Sequence, residues 1–249
     1  MIHSFLLIGQ SNMAGRGFLD EVVPVNEAHI KVLRNGRWCN LHRPVHHDRH
    51  FSGVCLAESF AEKYAETYGV DVGLIPCADG GTTLNQWMPG TILFDHAVYM
   101  TRLAQRTSTV AGVLWHQGEG DCVPSLRATY RARFETMMGE MRRLLGLYDV
   151  PFIVGGLGDF LPLCAKEYEE ESANVTAVLR EMAENNPLMG FASAKGLGAN
   201  PDNLHFNAAS LYELGLRYFE AYEQSRDKNK VFPEMPAEDD TVRTALELL

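Results

Sequence analysis

The sequence has 249 residues, 46% of them hydrophobic and 22% charged, a balance that suits a folded protein with a substantial core and excludes a disordered or membrane-embedded chain. Its formal net charge of −10 repels phosphate backbones, so nucleic acid is not an expected partner. Five cysteines (Cys39, Cys55, Cys77, Cys122 and Cys164) are odd in number and form no C-x-x-C pair, which argues against a disulfide framework or a thiolate zinc site and for reduced thiols in a cytoplasmic setting.

The first residues, Met1-Ile2-His3-Ser4, carry no basic leader region, and the apolar run that follows is too short for a signal peptide or a membrane span. A leader removed ahead of residue 1 would leave no mark. That run, Phe5-Leu6-Leu7-Ile8, is apolar at every position and stops at Gly9, which predicts a buried strand. Residues 29–41 hold Asn35-Gly36 between apolar-rich flanks, a hairpin signal, expected as an excursion on the sheet's active edge. In residues 54–68, Ala57, Phe60, Ala61, Tyr64, Ala65 and Tyr68 share one helical face, and Gly69 supplies the stop. Strands are predicted over 70–78, 112–115, 151–155 and 189–194, and further helices over 126–147, 168–184 and 208–225. The tail 226–249 is charged, contains Pro233 and Pro236, and is expected to wrap the surface and end in a short helix from Thr241. Buried strands alternating with amphipathic helices imply one domain over 1–249. Its fold class is α/β, a three-layer α/β/α sandwich around a parallel sheet of about five strands. Ligands bind such sheets beyond the carboxyl ends of the strands.

Four polar clusters fall at those ends or in the corresponding late loop. Gly9-Gln10-Ser11-Asn12-Met13-Ala14-Gly15 follows the first strand, where a tight turn exposes a serine hydroxyl to a cleft; the same serine or asparagine serves equally well to cap a helix. Ala78-Asp79-Gly80-Gly81-Thr82-Thr83 follows the second. Its paired glycines let a backbone N–H approach an anionic oxygen, or simply make a turn. Trp115-His116-Gln117-Gly118-Glu119-Gly120-Asp121 crowds polar side chains at the third strand's end, as a site or as a hydrogen-bonded loop. In Pro201-Asp202-Asn203-Leu204-His205-Phe206, a spacing of three brings a carboxylate within reach of an imidazole, the pairing that makes histidine a base for serine; a capping aspartate beside an unrelated histidine has the same spacing.

Taken in order, GQSNMAG, DGGT, HQGEGD and DNLHF resemble the blocks of SGNH hydrolases, in the variant of carbohydrate esterase family 6 and the sialate O-acetylesterases, where a glutamine in the H-Q-G-E block replaces the usual asparagine. The resemblance runs from Phe5 to about Phe206 and implies a flavodoxin-like strand order and a serine esterase acting on acetylated carbohydrates. It implies Ser11 as nucleophile, with Asp202 and His205 completing a triad. The oxyanion hole would be formed by the N–H groups of Ser11 and Gly81, with Gly80 as the fallback, and by the side-chain amide of Gln117. Supporting or substrate-binding roles fall to Gln10, Asn12, Gly80, Trp87, His116 and Glu119, with Asp121 beside Glu119. Gly120 departs from the commoner H-Q-G-E-S-D. No cofactor is implied, and the expected partner is a small or oligosaccharide acetyl ester. The same chemistry would serve a general short-chain carboxylesterase or a lipid or thioester hydrolase. A catalytically silent carbohydrate-binding protein is the alternative of another class.

Other patterns in the sequence are weaker. Met13 breaks the G-x-S-x-G elbow, and Gly155-Gly156-Leu157-Gly158-Asp159 lacks the third glycine of a dinucleotide fingerprint. His42, His46, His47 and His50 crowd one stretch without metal-ligand spacing, so they are expected on a solvated loop beside the cleft, with no metal. Trp87 suits sugar stacking or core packing equally. With Met88 and the HQGE loop it is expected to limit the acyl group to about the size of acetyl.

Overall fold

The structure is a computed structural model that describes residues 1–226. The tail from residue 227 onward, with the helix expected from Thr241, lies outside the described residues. The first strand, β1 (Ile2–Gly9), is the centre of the molecule, and Phe5, Leu6, Leu7 and Ile8 are fully buried. A run with no polar side chain is stable only where both faces of the strand are covered. The hairpin follows as β2 (Ile30–Arg34) and β3 (Arg37–Asn40), and then come β4 (Asp71–Pro76), β5 (Ser108–His116), β6 (Phe152–Gly155) and β7 (Met189–Ala192). They form one seven-stranded sheet in the order β3-β2-β4-β1-β5-β6-β7, in which β2 and β3 are the antiparallel pair and all other neighbours run parallel.

The five expected strands make the parallel run β4-β1-β5-β6-β7, and the hairpin adds two more. It is therefore part of the sheet rather than an excursion from it. Ile30, Val32 and Leu33 are buried, and β2 hydrogen-bonds to β4 in the register Ile30↔Val72 to Val32↔Leu74. Arg34 pairs with Arg37 across a two-residue turn in which Asn35 and Gly36 both have positive φ, 48° and 73°, as the twist of a tight hairpin demands.

Among the described residues the helices are α1 (Ser11–Ala14), α2 (Ala57–Tyr68), α3 (Ile92–Gln105), α4 (Pro124–Arg127), α5 (Tyr130–Leu145), α6 (Leu161–Cys164) and α7 (Tyr168–Asn185) between the strands, and α8 (Ala208–Ser225) after the last of them. On one face α2 packs on α8; on the other α3, α5 and α7 follow one another. The helix expected over 126–147 is two, α4 opening at Pro124 and α5 starting afresh after Thr129. The expected elements did not include α3. It buries Phe94, Ala97, Val98, Thr101 and Ala104, but Ile92 and Tyr99 on its outer side are exposed and blur the apolar stripe. Phe5 anchors β1 to the first helical layer, meeting Phe60 and Tyr64 edge-on at 4.8 Å each. Edge-to-face pairs of this kind add about 0.5–1.5 kcal/mol each beyond their burial. That packing fixes the strand whose end carries the first polar cluster.

Candidate active site

At the end of β1 the chain must turn within one residue. Gly9 has φ 128°, and a side chain there would put its Cβ 2.2 Å from the main-chain oxygen of His116, so only glycine lets β1 lie this close to β5. Gln10 N–H closes the turn on the same oxygen at 2.9 Å, and Ser11 becomes the first residue of α1. A first helical residue has no acceptor within its own helix, so the Ser11 N–H is left facing outward. The Ser11 side chain meets His205 Nε2 at 3.0 Å, and His205 Nδ1 lies 2.7 Å from Asp202 Oδ2. The three residues expected as a triad, 194 positions apart at their extremes, are thus brought into one chain of hydrogen bonds.

Asp202 holds the pair in two ways. Oδ2 takes the imidazole, while Oδ1 accepts the N–H groups of Leu204 at 2.9 Å and His205 at 3.0 Å. Partial burial opposes its ionisation, but the hydrogen bonds from the His205 ring and the two main-chain N–H groups outweigh this and hold its carboxyl below the usual range. Since Asp202 accepts at Nδ1–H, the unprotonated Nε2 is the one that faces the serine, the tautomer a general base requires. The Asp202 side chain is 47% exposed, so solvent screens its charge.

The glycine pair lies beside Ser11. Gly80 donates its N–H to Asp48 Oδ2 at 2.9 Å and has none to spare for a ligand. Gly81 N–H has no acceptor among the described residues. Of the two glycines, Gly81 can therefore serve an oxyanion and Gly80 cannot. Asp48 is the hub of this support, accepting from Arg16 at 2.6 and 3.3 Å, Ser52 Oγ at 2.7 Å and Gly80 N. Burial pushes its carboxyl up, but those hydrogen bonds and the Arg16 charge bring it below the ordinary aspartate value.

Gln117 requires a correction. Its side chain does not point an open donor at the cleft; it is fully buried, and Nε2 donates to the Thr82 carbonyl at 3.1 Å and to Asp121 Oδ2 at 2.7 Å. Oε1 accepts from the Tyr130 hydroxyl at 3.1 Å. An amide has two protons, and here both are spent. The sequence shows the amide but not the acceptors, which come from residues four and thirty-five positions away. Asp121 is fully buried and accepts from Leu84 N and Arg133 as well, which makes it the strut of the loop. Gly120 fits the same crowding, since a Cβ there would stand 2.7 Å from the Thr82 carbonyl oxygen.

The remaining candidates form a second layer. Asn12 Nδ2 donates to Glu119 Oε1 at 2.6 Å, and its Oδ1 accepts Phe206 N at 3.1 Å, tying the serine turn to the histidine loop. Gln10 Oε1 accepts Gly120 N at 3.1 Å. His116 is fully buried with Nδ1 on the Tyr218 hydroxyl at 2.9 Å; that hydroxyl gives its proton to Trp115 O, so His116 Nδ1 is the donor. Burial lowers its pKa and favours the neutral ring. Trp87 is also corrected: it is fully buried, donates to Thr82 Oγ1 at 3.1 Å and meets Trp115 edge-on at 5.7 Å, so it is core and no sugar can stack on it.

Of the four histidines, His42, His47 and His50 are exposed on the loop, and His46 alone is not. His46 is buried, and desolvation drives its pKa down to about 3; His42 and His47 meet edge-on with ring centres 6.3 Å apart, and His50 meets Phe51. Among the described residues no group of three or more His, Cys, Asp or Glu side chains is arranged to hold a metal, and no helix is long and apolar enough to cross a membrane. Sequence reasoning missed Arg16, Asp48 and Phe51. Arg16 stood one residue past the first cluster and Asp48 inside the histidine stretch beside Arg49, and no local pattern marks their pairing.

Comparisons with known proteins bear on the family and the fold. The family model described as carbohydrate esterase, sialic acid-specific acetylesterase, matches residues 1–224. A probable carbohydrate esterase of Arabidopsis thaliana is 29% identical over 245 residues, covering 88% of this chain and 89% of that protein. Its solved structure superposes with a TM-score of 0.79 at 27% identity, over 89% of this chain and 98% of that one. NanS (TM-score 0.68, 20% identity, 90% and 97% covered) and a carbohydrate acetylesterase of Xanthomonas citri (0.68, 20%, 90% and 56%) share the fold. The chain belongs to the carbohydrate esterase family of sialic acid-specific acetylesterases, a group of SGNH-type carboxylic ester hydrolases.

Proposed function

We propose that this protein is a serine esterase that removes O-acetyl groups from carbohydrates through an acetyl-enzyme intermediate. The observation that carries the reading is the unbroken line Ser11 Oγ, His205 Nε2, His205 Nδ1, Asp202 Oδ2, with steps of 3.0 and 2.7 Å between side chains. In the first half-reaction Ser11 Oγ attacks the acetyl carbonyl carbon while His205 Nε2 takes the hydroxyl proton. The N–H groups of Ser11 and Gly81 receive the oxyanion, and Gln117 holds the loop that aims the second of them. The bond to the sugar oxygen breaks as His205 returns the proton to that oxygen. In the second half a water, deprotonated by His205, attacks the acetyl carbon; acetate leaves and Ser11 regains its proton.

A fluorophosphonate probe tests the nucleophile. It should label the wild-type protein at Ser11 and fail on Ser11→Ala. Labelling that survives in Ser11→Ala would assign the chemistry to another residue.

A further inference from the structure

His205 has one other neighbour that the reaction as described does not use. A cavity of about 380 Å³ is lined by His205 and Asp202 together with the apolar side chains Phe18, Leu19 and Phe51. These three are 46%, 46% and 56% exposed, and large apolar side chains are left in water at a cost unless something covers them. They are also held in place. Gly17 and Val54 bridge the two segments through a pair of backbone hydrogen bonds of 2.8 and 3.3 Å, the Arg16 guanidinium sits 5.2 Å from the centre of the Phe51 ring, and His50 meets that ring edge-on at 4.9 Å.

The electrostatics of this wall are one-sided. Asp20 and Asp202 line it; of its basic side chains, Arg16 is committed to Asp48 at 2.6 Å with both side chains almost wholly buried, His205 is held by Asp202, and His50 stands edge-on to Phe51. Arg49, next along the chain, is spent on Asp79 and on the carbonyls of Asp48 and Gly80. A carboxylate on the ligand would meet two aspartates and no unpaired guanidinium.

We infer that this cavity is the subsite for the leaving alcohol and that it selects a neutral sugar, whose apolar C–H face lies on Phe51, Phe18 and Leu19, over an acidic one. The inference rests on the serine esterase reading, because it is the proton handed back by His205 that places the leaving oxygen on this side. Its volume falls in the range of small-ligand sites. It narrows the substrate class within a family whose description names an acidic sugar, and it gives the stacking surface to Phe51 rather than to Trp87.

The test compares acetate release from three esters: ethyl acetate, a mono-O-acetylated neutral methyl glycoside, and an O-acetylated methyl glycoside of a uronic acid. Wild type should show a higher kcat/KM for the neutral glycoside than for the acidic one. Phe51→Ala should lower the ratio of kcat/KM for neutral glycoside over ethyl acetate about 5–10-fold, mainly through KM, the size of one lost ring contact, and Phe51→Trp should restore it. Asp20→Asn should narrow the gap between neutral and acidic glycosides. An unchanged ratio in Phe51→Ala, or a wild-type preference for the acidic glycoside, would overturn the subsite while leaving the esterase standing. Failure of every ester to turn over, together with no fluorophosphonate labelling, would remove the esterase reading and the subsite with it.

Discussion

Replacing Gln117 by alanine separates two roles that look alike in sequence. The structure gives the side chain three hydrogen bonds, to Thr82 O, Asp121 Oδ2 and the Tyr130 hydroxyl. Asp121 keeps Leu84 N and Arg133, and Tyr130 keeps the main-chain oxygen of Gln117 at 3.0 Å, so the Thr82 carbonyl is the group left short. A buried hydrogen bond is worth about 0.5–1.5 kcal/mol net and an orphaned carbonyl costs about 1–3, which sets the expected loss for Gln117→Ala at about 2–4 kcal/mol. Thr82 follows Gly81 directly, so the loosened loop also misplaces the Gly81 N–H, and kcat should fall about tenfold. Urea denaturation gives the first quantity and hydrolysis of an aryl acetate the second. Gln117→Glu puts a carboxylate against Asp121 Oδ2, where the amide nitrogen now sits at 2.7 Å. Two carboxylates at that distance cannot both ionise, so a shared proton is held with a raised pKa. The destabilisation is then full above that raised pKa and shrinks as pH falls toward the ordinary carboxylate value. A drop in kcat of about 10²–10³ with unchanged stability in Gln117→Ala would refute this reasoning, because that is the signature of a lost oxyanion donor.

Three further outcomes are expected. Asp48→Ala leaves the Arg16 guanidinium buried without its counter-charge and should cost about 3–5 kcal/mol, while Arg16→Met/Asp48→Leu together should recover most of it; simple additivity of the single losses in denaturation would contradict the coupling. His46, with its pKa lowered to about 3, stays neutral in the folded state while the unfolded chain takes up a proton below about 6.5. Its contribution is therefore lost as pH falls from 6.5, by about 2 kcal/mol at pH 5, and His46→Phe should flatten the stability profile there; parallel profiles would show that His46 does not titrate in this way. Asp202→Asn keeps an oxygen for the Leu204 and His205 N–H groups but presents an amide to the imidazole, so kcat should fall about 10²-fold. The roughly 10⁴-fold loss known for a buried aspartate is not expected, since this one is half exposed. A change in kcat of less than threefold would mean that Asp202 does not orient the ring.

The parts of the fold that sequence reveals are those whose signal is local. Phe5 to Ile8 announces a strand buried on both faces, Gly69 ends α2 where its apolar face runs out, and Asn35-Gly36 marks a hairpin. What hairpins pair with is not local, and nothing in residues 30–40 says that β4 offers them a free edge. The helix α3 was missed because Ile92 and Tyr99 face outward, and 126–147 read as one helix because Ala128 and Thr129 are compatible with helix until Pro124 sets a separate first turn. In the site, Ser11, Asp202 and His205 were legible because a resemblance supplied their pairing. Gln117 was legible as a position but not as a role, since its bond partners lie in other loops. Trp87 read equally well as core and as platform, and only its neighbours Thr82 and Trp115 separate the two.

The strand that leads into Ser11 is also the middle strand of the sheet, flanked by β4 and β5, and the imidazole that meets Ser11 arrives 194 residues later, just ahead of α8. A chain leaving the ribosome therefore exposes its most apolar strand first and completes the reactive line last. Until His205 has docked, Ser11 has no imidazole beside it. On the proposed mechanism, a chain that has not yet docked His205 carries the Ser11 hydroxyl without its base, so turnover reports on finished folding.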